Sequence, residues 1–165
     1  MINPQYFPNL VILNKRILLL RELDTPEREL ILKAPILVCI LIAGADGEID
    51  QKEIREAIDM ARNKRWVKTN IQPFFQELAQ DFEDKLKIIL QSYPFDARSR
   101  NEIIQEELVN LNNILNKIDR AFARSYYEML KFLAERIASS SGSFWGKITA
   151  EEARLLELPM IRKPE

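Results

Sequence analysis

The chain has 165 residues, of which 47% are hydrophobic and 30% charged, and it contains four glycines. This length suits a single domain, and so few glycines argue against a turn-rich β architecture, so we expect an all-α fold. The formal net charge of −1 gives no general attraction to nucleic-acid phosphates, and the absence of histidine removes the commonest general base and transition-metal ligand.

The hydrophobic segments predict a cytoplasmic protein without a membrane span. The N-terminus has neither the basic region nor the small-residue cleavage site of a signal peptide. The longest apolar run, between Lys33 and Asp46, is shorter than the roughly 20 residues of a membrane-spanning helix. The single cysteine, Cys39, lies in this run, which favours a reducing compartment and predicts a role in core packing.

The N-terminal part of the chain shows helical periodicity. Apolar residues at helical spacing predict an amphipathic helix over residues 10–23. We therefore divide the chain into an N-terminal extension, residues 1–24, that packs on a helical domain of residues 25–165. No second domain is required by the length.

The next predicted helix is the centre of the domain. Thr25 is expected to cap it and Pro26 to occupy its first turn, and it should run to about Ala45. Because residues 36–43 are apolar nearly all round, this helix should be buried, with a kink at Pro35.

Shorter helices are predicted in the middle of the chain. One covers residues 51–62, with Asn63 as its C-cap, and two more cover residues 73–79 and 82–92. Their aromatic residues are expected in the core: Phe74, Phe75 and Phe82.

A heptad pattern of apolar residues then extends over residues 101–137. Two interpretations remain open: helices packed inside the domain, or the seam of a coiled-coil dimer. The region forms one helix or two, because Asp119 is able to cap a separate helix near Arg120. A serine-rich loop over residues 139–143 and a last helix from Thr149 to Pro159 complete a compact bundle of about seven to eight helices.

The most informative segment follows the central helix. Four carboxylates stand within eight residues: Asp46, Glu48, Asp50 and Glu53. Their spacing matches the back half of a calcium-binding helix-loop-helix. The first two ligands of such a loop would fall on Ile42 and Gly44, which offer no side-chain oxygen. A complete site of that type is excluded, and a half-site remains.

The same pattern occurs again near the end of the chain. Residues 47–53 and 146–152 share the frame Gly-x-Ile-[Asp/Thr]-x-x-Glu, which predicts two pseudo-symmetric helix-turn-helix halves. Asp50 with Glu53, and Thr149 with Glu152, are spaced as capping boxes, so helix capping alone explains most of these residues. Glu48 and the crowding of like charges are left unexplained, and a bound cation or a basic partner would relieve that repulsion.

Residues 42–53 and 146–152 together resemble the TerB-like family of tellurite-resistance proteins, whose fold also opens a membrane-anchored DnaJ-type cochaperone. The resemblance covers residues 25–159 in layout, with its specific residues confined to the two turns. It implies an all-α domain in which the two turns meet and build an acidic metal site. Trp145 and Lys147 depart from a symmetric pair, since they replace the acidic residues of the first turn.

The resemblance also implies which residues hold the ion. The candidate ligands are Asp46, Asp50, Glu53 and Glu152, with Glu48 and Glu151 as further candidates. Carboxylates without thiolate or imidazole favour calcium, magnesium or manganese. The function implied is non-enzymatic and belongs to a tellurite, metal or chemical stress response.

A different class of function is also open, a metal-free helical module whose acidic face docks a protein partner. We expect such a partner, membrane-associated or not, and a homodimer is left open. Phe144 and Trp145 either anchor a partner or pack on the core, and the basic residues of segment 62–68 either contact anions or complement a helix C-terminus. No phosphate loop or nucleophile–base pair appears, so an enzyme is not expected.

Overall fold

A computed structural model describes residues 20–140 and 149–165 of the chain, and it confirms the all-α class. The α-helices are α1 (Thr25–Ala43), α2 (Gln51–Ala61), α3 (Gln72–Ala79), α4 (Phe82–Gln91), α5 (Ala97–Val109), α6 (Leu111–Lys117), α7 (Arg120–Ser140) and α8 (Ala150–Leu156). Two short 3₁₀ turns, Lys64–Trp66 and Thr69–Ile71, join α2 to α3, and no strand occurs in the described ranges. None of the described helices has both the length and the apolarity needed to cross a membrane.

Helix α1 is the central buried helix, as predicted. Every residue from 30 to 43 is buried, and the helix contacts α2, α4, α5, α6, α7 and α8. Pro35 lies inside it, and Cys39 is fully buried in the core, where burial raises the pKa of its thiol. The helix ends at Ala43, two residues earlier than predicted, with Gly44 as its C-cap. The apolar run of the sequence is therefore the core of the bundle.

Two of the predicted caps are wrong by one residue. Asp24, not Thr25, caps α1: its carboxylate accepts from the Glu27 N–H at 2.9 Å, and the Glu27 carboxylate accepts from the Asp24 N–H at 3.0 Å. Asp24 is the cap in preference to Thr25 because Glu27 stands three residues after Asp24, where it completes a reciprocal capping box. Arg62, not Asn63, is the C-cap of α2, since the Asn63 side chain caps the 3₁₀ turn that follows.

The heptad region is neither one helix nor two, because it is divided among α5, α6 and α7. The chain breaks at Asn110 and again before Asp119, whose carboxylate accepts from the Phe122 N–H at 2.9 Å, as the predicted cap should. The apolar residues of the seam are buried within the single chain: Ile104, Leu108, Leu111, Leu115, Ile118, Phe122, Met129, Leu133 and Ile137. This burial selects packing inside the domain over a coiled-coil dimer along the seam. The aromatic residues Phe74, Phe75 and Phe82 are also in the core.

The ends of the described ranges bear on three further predictions. Ser139 and Ser140 are the last two residues of α7 and do not belong to a loop. Each of their hydroxyl groups donates to the carbonyl oxygen three residues earlier in the helix. Leu20 and Leu23 are buried in the core, which places this part of the extension on the domain. The rest of the predicted first helix, the Phe144–Trp145 pair and the start of the second turn lie outside the described residues.

Candidate functional site

The backbone of the first turn, residues 44–50, closes back on the end of α1. The Asp50 N–H donates to the Ala43 oxygen at 2.8 Å, and the Gly47 N–H donates to the Gly44 oxygen at 3.2 Å. Gly47 has φ +120°, a conformation that residues with a Cβ rarely adopt. A glycine at position 47 is therefore required by the backbone of the turn, whatever else the turn does.

Asp50 caps α2, as predicted. Its carboxylate accepts from the Lys52 N–H at 2.7 Å and from the Glu53 N–H at 3.3 Å. A complete capping box would also have the Asp50 N–H donating to the Glu53 carboxylate. This N–H donates to the Ala43 carbonyl oxygen instead. Glu53 is instead buried, with 4% of its surface exposed, which is unusual for a carboxylate. Capping therefore accounts for Asp50 but not for the burial of Glu53.

Two side chains of α5 donate hydrogen bonds to the backbone of the first turn. The buried guanidinium of Arg100 donates through one nitrogen, Nη2, to the carbonyl oxygens of both Gly44 and Gly47, each at 3.3 Å. The Asn101 side chain donates to the same Gly44 oxygen at 3.2 Å. A Cβ on Gly44 would stand 2.5 Å from Arg100 Nη2, so the missing side chain of the glycine makes room for the arginine. Burial lowers the pKa of the Arg100 guanidinium, and the charge of Asp96 acts in the opposite direction.

Helix α8 brings the second turn to the first. The Thr149 hydroxyl accepts from the Glu152 N–H at 3.1 Å, which confirms Thr149 as the predicted cap. Glu152 is buried, with 5% of its surface exposed. Burial raises the pKa of its carboxyl, a backbone hydrogen bond from Thr149 lowers it in part, and the charges of Asp46 and Asp50 raise it further. Two carboxylates of the first turn are thus close enough to Glu152 to act on its charge.

The other candidate ligands differ in their surroundings. Asp46 and Glu48 are exposed, whereas Glu151 points to Arg154 and forms an ion pair with it at 2.7 Å. In the described ranges no lysine or arginine forms an ion pair with Asp46, Glu48, Asp50 or Glu152. Among the described residues, the meeting of the two turns therefore gathers the carboxylates of Asp46, Asp50 and Glu152 without an ion-paired lysine or arginine.

The donor set at the paired turns consists of carboxylate oxygens, which suit a hard cation. The side chains as they stand do not form a cage: within the described residues, no three Asp, Glu, His or Cys side chains are grouped closely enough to hold a metal ion. Because Asp46 and Glu48 are exposed, coordination requires them to turn towards the buried carboxylates of Glu53 and Glu152.

The basic segment has ordinary structural contacts. Arg62 forms ion pairs with Asp59 and Glu83, and Lys68 forms one with Glu128. Trp66 stacks on Phe132 with ring centroids 5.3 Å apart, and its indole N–H donates to the Met60 oxygen. These contacts favour the interpretation in which the segment ends α2 and covers the core.

Sequence reasoning missed Arg100 and Asn101 as part of the site. A signal was present, because Arg100 stands four residues before Ile104 and eight before Leu108. This spacing puts a cation on the buried face of α5, where an arginine needs partners. The carbonyl groups of the turn are those partners.

Comparison of the chain with protein-family models, with curated proteins and with solved structures finds no significant match. The TerB-like resemblance thus continues to rest on the residues of the two turns, and the pseudo-symmetry of the two halves stays a prediction.

Proposed function

We propose that this chain is a TerB-like, non-enzymatic domain of the cytoplasm that binds a divalent cation at the paired turns and acts in a tellurite, metal or chemical stress response. The ligands come from Asp46, Glu48, Asp50, Glu53 and Glu152. The burial of Glu152 against the charges of Asp46 and Asp50 supports this proposal more than any other feature.

The physical reason is the free energy of unneutralised charge. A buried carboxylate near other carboxylates is costly unless a cation is supplied or the group is protonated. No side-chain cation pairs with Glu152, Asp46 or Asp50 among the described residues. Calcium, magnesium or manganese would supply the missing charge through the oxygen ligands that these ions prefer.

Isothermal titration of metal-free protein with each of the three ions tests the proposal. We expect saturable binding that weakens at least about tenfold in Asp46→Asn and in Glu53→Gln, since each change removes one charged ligand. Asp46 is exposed, so its substitution spares the core. Glu106→Gln, an exposed carboxylate on α5, is the matched control and should bind like wild type. Binding weaker than about millimolar, or equal in all variants, would sink the proposal.

A second function is favoured by the absence of a three-ligand group among the described residues. In this alternative the exposed carboxylates Asp46 and Glu48 dock a basic protein surface, membrane-associated or a second copy of the chain, without an ion. Partners captured on the immobilised domain should then be lost at high salt, retained with a chelator, and lost in the Asp46→Asn, Glu48→Gln double variant. Strict dependence of capture on divalent ions would instead favour the cation site.

A further inference from the structure

A basic cleft lies beside the N-terminus of α7, away from the acidic turns. The cleft has a volume of about 310 Å³, and its lining is mostly polar. Its basic lining comes from the first residue of α7, Arg120, and from Arg162 and Lys163 in the segment after α8. At this volume the cleft stands at the lower end of the range of small-molecule sites.

Within the part of the chain that the structure describes, the cations of this cleft form no ion pairs. Most other described lysines and arginines contact a carboxylate or a carbonyl group, whereas the side chains of Arg120, Arg162 and Lys163 have no ion-pair partner in the described ranges. Glu165 is the one acidic side chain among the described residues of the lining, and their net formal side-chain charge is +2. On a protein with a net charge of −1, this local excess favours an anion.

The cleft is held in shape by hydrogen bonds. The Asn112 side chain donates to the Met160 oxygen at 2.9 Å and accepts from the Arg162 N–H at 2.8 Å, which clamps the C-terminal segment onto α6. Ile161, between these contacts, is buried. Arg162 and Lys163 therefore project from a fixed backbone, which reduces the entropy that a ligand must overcome.

At the start of α7 the positive charge of the cleft comes from the Arg120 side chain. The N-terminus of this helix is already capped, since the Asp119 carboxylate accepts from the Phe122 N–H at 2.9 Å. A guanidinium matches the geometry of a phosphate group, which accepts paired hydrogen bonds from arginine. A neighbouring cleft of about 480 Å³ shares Lys163 and is walled by Tyr127 and Pro164, so an organic group attached to the phosphates has room there.

We propose that the cleft between α6, α7 and the C-terminal segment binds a phosphorylated small molecule, with its phosphates between Arg120, Arg162 and Lys163. This inference does not depend on the acidic turns, which lie elsewhere in the fold and attract the opposite charge.

Isothermal titration of the full chain with inorganic triphosphate and with ATP tests the inference. We expect saturable binding of at least one of the two, weakened about tenfold by Arg120→Gln and by Arg162→Gln, because each removes a charge-assisted hydrogen bond. The matched control is Arg65→Gln, which removes an exposed arginine outside the cleft that forms no ion pair with a described residue, and it should change the affinity less than about twofold. Tighter binding of ATP than of triphosphate would extend the site into the cleft beside Tyr127.

Three results would overturn the inference. The first is no saturable binding of either probe. The second is equal weakening by Arg65→Gln, which would show nonspecific attraction to the whole surface. The third is equal binding of citrate, an anion of comparable charge without phosphate. All three substituted arginines are exposed, so circular dichroism should show unchanged helix content in every variant.

Discussion

The contact between α1 and α5 contains two buried cations, and their partners differ. Near the middle of α1, Lys33 pairs with Glu107 at 3.0 Å and lies 4.9 Å from the centre of the Tyr93 ring, while the Tyr93 hydroxyl donates to Glu107 at 2.6 Å. Just beyond the C-terminal end of α1, Arg100 donates to the neutral carbonyl groups of Gly44 and Gly47.

The two contacts differ in whether the buried charge is neutralised by a carboxylate within the contact, and we call a contact self-contained where it is. Lys33 and Glu107 neutralise each other, so this part of the contact between the helices needs no further charge. Arg100 has no carboxylate within ion-pair distance among the described residues, and its Nε has no hydrogen-bond partner there. The charge of Asp96 acts on the guanidinium from beyond ion-pair distance, and the direct partners of Arg100 are the carbonyl oxygens of the turn.

The largest effect is expected from Arg100→Met. Loss of the guanidinium leaves the Gly47 oxygen without this donor and should lower the free energy of unfolding by about 3 kcal/mol, measured by urea denaturation. Arg100→Lys tests geometry against charge, since a lysine keeps the charge but not the fork of donors. Full stability in Arg100→Lys would contradict a role for the geometry of the guanidinium.

A smaller loss is expected from Lys33→Met. The variant leaves the Glu107 carboxylate without its cation, and because 31% of that side chain is exposed, water compensates in part. We expect a loss of about 2 kcal/mol in urea denaturation. The double variant Lys33→Met, Glu107→Gln should recover at least half of it, because Gln keeps an acceptor for Tyr93 and removes the unpaired charge. No recovery would show that the pair is not self-contained.

The smallest effect is the pH dependence of Glu152, a buried carboxylate that has no paired cation among the described residues. Because burial raises the pKa of its carboxyl in the folded state, the folded protein binds more protons than the unfolded chain between the ordinary value of 4.5 and the raised one. Stability therefore falls as the pH rises through that interval. Glu152→Gln should be slightly more stable than wild type at neutral pH and equal to it well below pH 4.5, as followed by thermal unfolding.

The comparison of wild type with Glu152→Gln also tests the proposed cation site. With saturating divalent cation, wild type should gain stability at neutral pH by mass action and Glu152→Gln should gain less. A wild type that is the more stable of the two in the presence of chelator would show that the Glu152 carboxylate already has a favourable partner, contrary to its raised pKa.

Much of the fold was predictable because its signals are local. Helical periodicity located α1 to α4 within one or two residues, and short-range capping rules identified Asp50, Asp119 and Thr149. The errors were also local in origin. Thr25 was predicted as the cap of α1 in place of the neighbouring Asp24. The break between two helices at Asn110 was not predicted, because no proline or glycine marks it in the sequence.

The candidate site was less predictable. The acidic residues were visible in the sequence, but the approach of residues 149–152 to residues 46–50 followed from the resemblance and not from the residues themselves. Arg100 was overlooked because its partners are backbone oxygens more than fifty residues away, which have no side-chain signature.

The sequence by itself determined an all-helical chain, a buried α1 and a cluster of carboxylates at a helix start, because periodicity, apolar content and caps act between near neighbours. The tertiary structure alone decided that Glu53 and Glu152 are buried, that the charges of Asp46 and Asp50 act on Glu152, and that Arg100 supports the first turn. Burial and charge interactions depend on which helices pack together, and that packing joins residues about a hundred positions apart.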